Sequence, residues 1–99
     1  MKTLNIIVKE IIGNCLVYKV GDRIVIDYGY KVDLSKTSAI CMHSVVSIMP
    51  YYIALSNDVS LKKLGLRREE TNNNSVFVQC LDPCKYTGGG TVIFKIKVF

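Results

Sequence analysis

The sequence predicts one α+β domain spanning residues 1–99: a small antiparallel four-stranded sheet with one main helix packed on one face. The expected order is strand, strand, helix, short helix, strand, strand. Three observations carry this reading. Apolar residues recur at a two-residue period near both ends, an apolar pattern of helical period fills the middle, and Gly, Asn and Asp punctuate the gaps.

Leu4, Ile6 and Val8 share one face of the first strand, opposite Asn5, Ile7 and Lys9; Ile11 and Ile12 extend it and Gly13-Asn14 ends it. Arg23 to Tyr28 forms the second strand, with Ile24 and Ile26 inward after the turn at Gly21-Asp22. In the middle, Thr37 or Ser38 is placed to cap a helix whose stripe runs Cys41, Val45, Ile48, Tyr52, Leu55. A second stripe, Met42, Val46, Met49 and Ile53, leaves most of its circumference apolar, so a loop or a partner chain should cover it. Pro50 predicts a kink or break near Met49.

Asn57 or Asp58 then caps a short helix through Leu64 that Gly65 stops, and Arg67 to Asn74 reads as an exposed loop. Val76, Val78 and Cys80 mark the third strand. Val92, Phe94, Ile96 and Val98 mark the fourth, with Lys95 and Lys97 outward. Gly88-Gly89-Gly90 makes the last two a long-looped hairpin.

Composition narrows the function classes. The chain is 49% apolar and 21% charged, with a net charge of +5, which excludes a disordered tail or a collagen-like repeat. A chain of this size hides roughly 65% of its unfolded surface, enough for one core without metal or disulfide staples. Lys9 interrupts any leader-like apolar run, and Ala39–Leu55 is too short and too interrupted for a membrane span of about 20 apolar residues. A cytoplasmic location is therefore expected, with reduced thiols and no membrane partner. The basic residues are not interleaved with outward aromatics, because Ile7, Val25 and Ile93 hold those positions; a solvated face is favoured over a nucleic-acid platform.

The four cysteines carry the functional reading. In an up-and-down sheet the first and third strands run the same way, so Cys15 and Cys80 end near one rim, with Cys84 close by. The ten residues from Gly29 to Ser38 span up to ~33 Å, long enough to return Cys41 to that rim without requiring it. Thiolates suit zinc or iron–sulfur, although only Cys80 and Cys84 form a local pair. The alternative is that the cysteines are small buried packing residues.

His43 lies about 200° from Cys41 if both are helical, which argues against a Cys-x-His ligand pair unless the helix starts later. In the loop Asp82-Pro83-Cys84-Lys85-Tyr86-Thr87-Gly88-Gly89-Gly90, the amides of Gly88 and Gly89 with Lys85 suggest an anion cradle near Asp82. A hairpin needing positive φ is the competing explanation. No Gly-Lys-Ser/Thr follows, so this is not a P-loop, and no carboxylate pair suggests acid–base catalysis.

Taken together, Gly13-Asn14-Cys15, Lys19-Val20-Gly21-Asp22, Cys41-Met42-His43 with Pro50, Cys80-Leu81-Asp82-Pro83 and Val92-Ile93-Phe94 occur in an ordered set. In that order the chain resembles a family of small uncharacterised bacterial and archaeal proteins with Gly-x-Cys, Lys-Val-Gly-Asp, Cys-Pro-Trp-like and Cys-Pro-Asp-Pro motifs. Met42-His43 stands where that pattern has Pro-Trp, Leu81 where it has Pro, and Cys84 falls outside it. The resemblance implies a shared fold and three recurring thiol positions, and it names no reaction.

The expected function is that of a non-enzymatic domain whose Cys15, Cys41 and Cys80 meet in one pocket, for soft-metal binding or thiol redox. The alternative is an interaction or homodimerisation module, a homo-oligomer in which the cysteines only pack.

Overall fold

The computed structural model describes residues 1–57, 59–66 and 75–98. Among these, five strands form one antiparallel sheet: β1 (Leu4–Gly13), β2 (Arg23–Asp27), β3 (Lys31–Val32), β4 (Ser75–Gln79) and β5 (Gly90–Val98), side by side in the order β3-β2-β1-β5-β4. Three short helices accompany them: α1 (Met42–Ile48), α2 (Tyr52–Ser56) and α3 (Cys84–Thr87). Single 3-10 turns occupy Leu34–Lys36 and Leu61–Leu64.

The alternating pattern does what a pleated strand demands of it. Leu4, Ile6 and Val8 of β1 and Val92, Phe94, Ile96 and Val98 of β5 all point to one face and are buried. Ile24 joins them from β2, and Val76 and Val78 join from β4. Ile48 of α1 and Leu55 of α2 close the other side of this core. Each such side chain contributes on the order of 1.5–3 kcal/mol by leaving water. Between Val8 and Glu10 the β1–β5 register slips by one residue at a bulge. That slip lets Ile11, two residues past Lys9, pack on the core although the strict alternation would have turned it outward.

The four-stranded expectation needs correction on two counts. The first is the fifth strand. The chain leaving β2 turns at once, with Tyr28 at φ 52 and Gly29 at φ 70, and the Tyr30 amide closes the turn onto the Asp27 carbonyl at 3.0 Å. β3 is only two residues long, too short to show alternation, and a left-handed tyrosine is a rare turn former. Pairing continues beyond it: the Asp33 amide donates to the Val25 carbonyl, and Ser38 to that of Arg23, both at 2.8 Å. Thr37 and Ser38 do not cap a helix; their hydroxyls accept the amides of Val25 and Arg23 at 3.1 Å each.

The second count is the helix. Among the described residues there is no single main helix, because Pro50 has no N–H to donate and the pattern breaks into α1 and α2 on either side of it. Cys41, in extended backbone, is the residue before the first turn of α1. The inward stripe still holds for Ile48 and Leu55, and the second stripe lies open, with Met42 71%, Val46 50%, Met49 57% and Ile53 48% exposed. The short helix expected up to Leu64 is the 3-10 turn Leu61–Leu64, ended by Gly65 at φ 71. The polar loop read at Arg67 to Asn74 lies outside the described residues.

Candidate functional site

β1 and β4 both run antiparallel to β5, so both deliver their ends to one rim of the sheet. Cys15 lies two residues past the end of β1 and Cys80 directly after β4. β3 and the extended pairing after it run back along β2, which returns the chain to the same rim and starts α1 there. A cavity of about 240 Å³ opens at this corner, and Cys15, Cys41 and Cys80 all line it. Cys84 does not. Its sulfur lies against Gly13, where any Cβ would collide with it. All four cysteines are free thiols; Cys80 is buried and the others are half-buried.

The backbone treats these sulfurs differently. Cys15 Sγ accepts the amides of Val17 at 3.4 Å and Tyr18 at 3.3 Å. Cys80 Sγ accepts the Val92 amide at 3.2 Å and donates its own hydrogen toward the Gly90 carbonyl at 3.6 Å. Cys41 offers its backbone, whose N–H donates to the Tyr18 hydroxyl at 2.8 Å. Tyr18 is the residue that pattern reading missed. It is a buried aromatic in an otherwise exposed loop, with its ring set edge-on to Phe94 at 5.7 Å. Burial pushes its phenol above the ordinary 10.0; the Cys41 amide and the Ser44 hydroxyl oppose this, while the Cys41 and Cys15 thiols reinforce it. Ser44 is fully buried on α1 and lines the same cavity.

His43 and Asp82 also line the cavity. The opposed placement expected if both Cys41 and His43 were helical does not apply, because Cys41 precedes the helix and is not wound into it. Asp82 is held from below: its carboxylate accepts the Thr87 hydroxyl, and its carbonyl accepts that of Thr91 at 2.6 Å.

The suggested anion cradle is already occupied by the protein itself. Gly88, at φ 72, donates its amide to the Cys84 carbonyl, and Gly89 donates to the Thr87 hydroxyl. Lys85 lies over the Tyr86 ring at 5.6 Å. Gly90 has a steric task instead: a Cβ there would sit 2.6 Å from the Cys15 nitrogen, so glycine lets the loop after β1 close on β5.

Among the described residues, no three of the His, Cys, Asp and Glu side chains stand together as a metal-binding group. Ligands of one zinc must lie within roughly 4 Å of each other, so this donor set does not fit a resident zinc or iron–sulfur centre as folded. None of the described helices is long and apolar enough to cross a membrane. Comparison with protein-family profiles, curated proteins and solved structures finds no match to this chain.

Proposed function

We propose that this chain is a small thiol domain acting through the rim cavity, with Cys15, Cys41 and Cys80 as reduced, redox-responsive groups. One observation supports it above the others: three sulfurs from three separate segments line one cavity. Packing alone needs no such convergence, because buried cysteines serve equally well anywhere in a core. The scattered donor geometry favours thiol redox over a resident soft metal. The order of the Gly13-x-Cys15, Lys19–Asp22 and Cys80–Pro83 motifs also supports kinship with the small bacterial and archaeal family, and a cytoplasmic setting would keep these thiols reduced.

Thiol titration of the folded chain with an aromatic disulfide, followed by elemental analysis, tests the reading. The half-buried Cys15 and Cys41 are expected to react in the native state, ahead of Cys80, at 5% exposure. Four thiols silent until denaturant is added would overturn it.

A second reading has its own observation. The open stripe Met42, Val46, Met49 and Ile53 borders an apolar cavity of about 180 Å³ lined by Ile24, Val32, Val45 and Met49. A second copy docked on this stripe would make the chain a homodimer. Light scattering at rising concentration separates the readings, since a strict monomer removes the second.

A further inference from the structure

We infer that the outer edge of β4 is a strand-addition site for an extended peptide whose alternate residues are apolar and acidic. The inference does not rest on the thiol reading above. It begins with backbone groups. Val76 and Val78 pair with Ile96 and Phe94 of β5, and the Cys80 amide donates to the Val92 carbonyl at 2.9 Å. In an antiparallel ladder the residues between these turn their N–H and C=O away from the partner strand. The Phe77 amide does so and donates to the Leu66 carbonyl at 2.8 Å. Gly65, at φ 71, ends that pairing after one bond. Among the described residues, no backbone group pairs with the outward N–H and C=O of Gln79.

The edge is also unguarded. Strands left at a sheet edge are ordinarily blunted by Lys, by Pro or by a bulge. β4 reads Ser-Val-Phe-Val-Gln, with no charge, no proline and an unbroken register to β5. Beside it lies a groove of about 430 Å³, within the roughly 300–1,000 Å³ range of ligand clefts. Pro50, Tyr51 and Leu66 line this groove together with Phe77, Val78 and Gln79. Val78 belongs to the core face, and Phe77 and Gln79 to the opposite one, so the groove wraps around the edge itself.

A strand edge specifies its occupant more narrowly than an apolar pocket does. Another extended backbone matches the spacing of its outward N–H and C=O groups. Alternation then sets the side chains of the incoming strand. Those turned toward Pro50, Tyr51 and Val78 must be apolar. Those on the other face lie beyond Ser75 and Phe77, whose register partners are Lys97 and Lys95. β4 and β5 carry these two lysines and no carboxylate. At about 5 Å per strand the new residues stand about 10 Å from β5, close to one Debye length, so acidic side chains are favoured there. A second copy is the poorer occupant, because it brings the same lysines and a net charge of +5.

The experiment titrates the full chain into a fluorescein-labelled, end-blocked peptide of alternating valine and glutamate, read by fluorescence anisotropy. Saturable binding is expected. Methylating the peptide nitrogens that face β4 should weaken it roughly tenfold or more. Gln79→Pro should do the same, since it removes one outward N–H at an edge where proline is tolerated. Near-ultraviolet circular dichroism checks the fold of that variant. Gln79→Lys leaves the backbone intact at an exposed position and should tighten binding about threefold. No saturable binding to the wild type, or equal affinity for the methylated peptide, would overturn the proposal. So would equally tight binding of a valine–lysine peptide. Self-association that Gln79→Pro abolishes and that excludes the peptide would assign the edge to a second copy and overturn it as well. Thiols silent in the native state leave this inference standing and remove only the thiol reading.

Discussion

The Tyr18 hydroxyl accepts the backbone N–H of Cys41 at 2.8 Å, so one hydrogen bond joins the loop after β1 to the start of α1. Two of the three cavity cysteines are held in place through this single residue, because the Tyr18 amide also donates to Cys15 Sγ.

Tyr18→Phe keeps the ring against Phe94 and removes only that oxygen. Leaving the Cys41 amide unpaired should cost about 1–3 kcal/mol in denaturant unfolding at neutral pH.

The same residue predicts an alkaline limit. The folded phenol is raised above 10.0, so stability from Tyr18 is fully present below that value and is lost as pH rises through the higher folded value. Unfolding free energy should therefore fall from about pH 10 upward, more steeply in the wild type than in Tyr18→Phe. Parallel pH profiles for the two proteins would contradict this.

Gly90→Ala sets a methyl group 2.6 Å from the Cys15 nitrogen and 2.7 Å from the Asn14 carbonyl carbon. Backbone atoms yield poorly, so a loss of roughly 1–3 kcal/mol is expected. Because the loop carrying Cys15 must shift, native titration should show the Cys15 reaction rate altered while that of Cys84 stays close to wild type.

Phe94→Ala empties the centre of the core, where the ring is fully buried and supports Tyr18. The expected cost is about 3–5 kcal/mol, a large share of the 5–15 typical of whole domains. Thermal unfolding measured by near-ultraviolet circular dichroism reads it directly.

Val46→Glu changes a half-exposed position of the open stripe. Monomer stability should move by less than about 0.5 kcal/mol. Any self-association through α1 should disappear from light scattering.

Four strands were legible because their side chains meet different solvents on their two faces, and Leu4–Val8 and Val92–Val98 record that difference directly. β3 left no such record. It owes its place to a tyrosine in the left-handed region and to the Thr37 and Ser38 hydroxyls, which serve as strand partners where helix capping was expected. Pro50 announced a break, and the break is complete. In the site, strand direction brought Cys15 and Cys80 to one rim. The return of Cys41 depended on the same unannounced β3, and Tyr18 carried no periodic signal in its loop. Cys84 followed from chain proximity alone, and proximity left it on Gly13 outside the cavity.

The central strand β1 and its longest partner β5 are far apart in sequence, with Leu4 facing Val98. β1 must therefore wait for its chief neighbour until β2, β3 and β4 have been made. Until then β1 has only β2 beside it, and β4 has no strand partner at all. Such distant closure slows assembly toward the millisecond-to-second range and leaves unpaired edges open to intermolecular pairing meanwhile. A nascent copy would be at its most aggregation-prone just before residues 90–98 arrive, and protection by a chaperone would matter most in that interval.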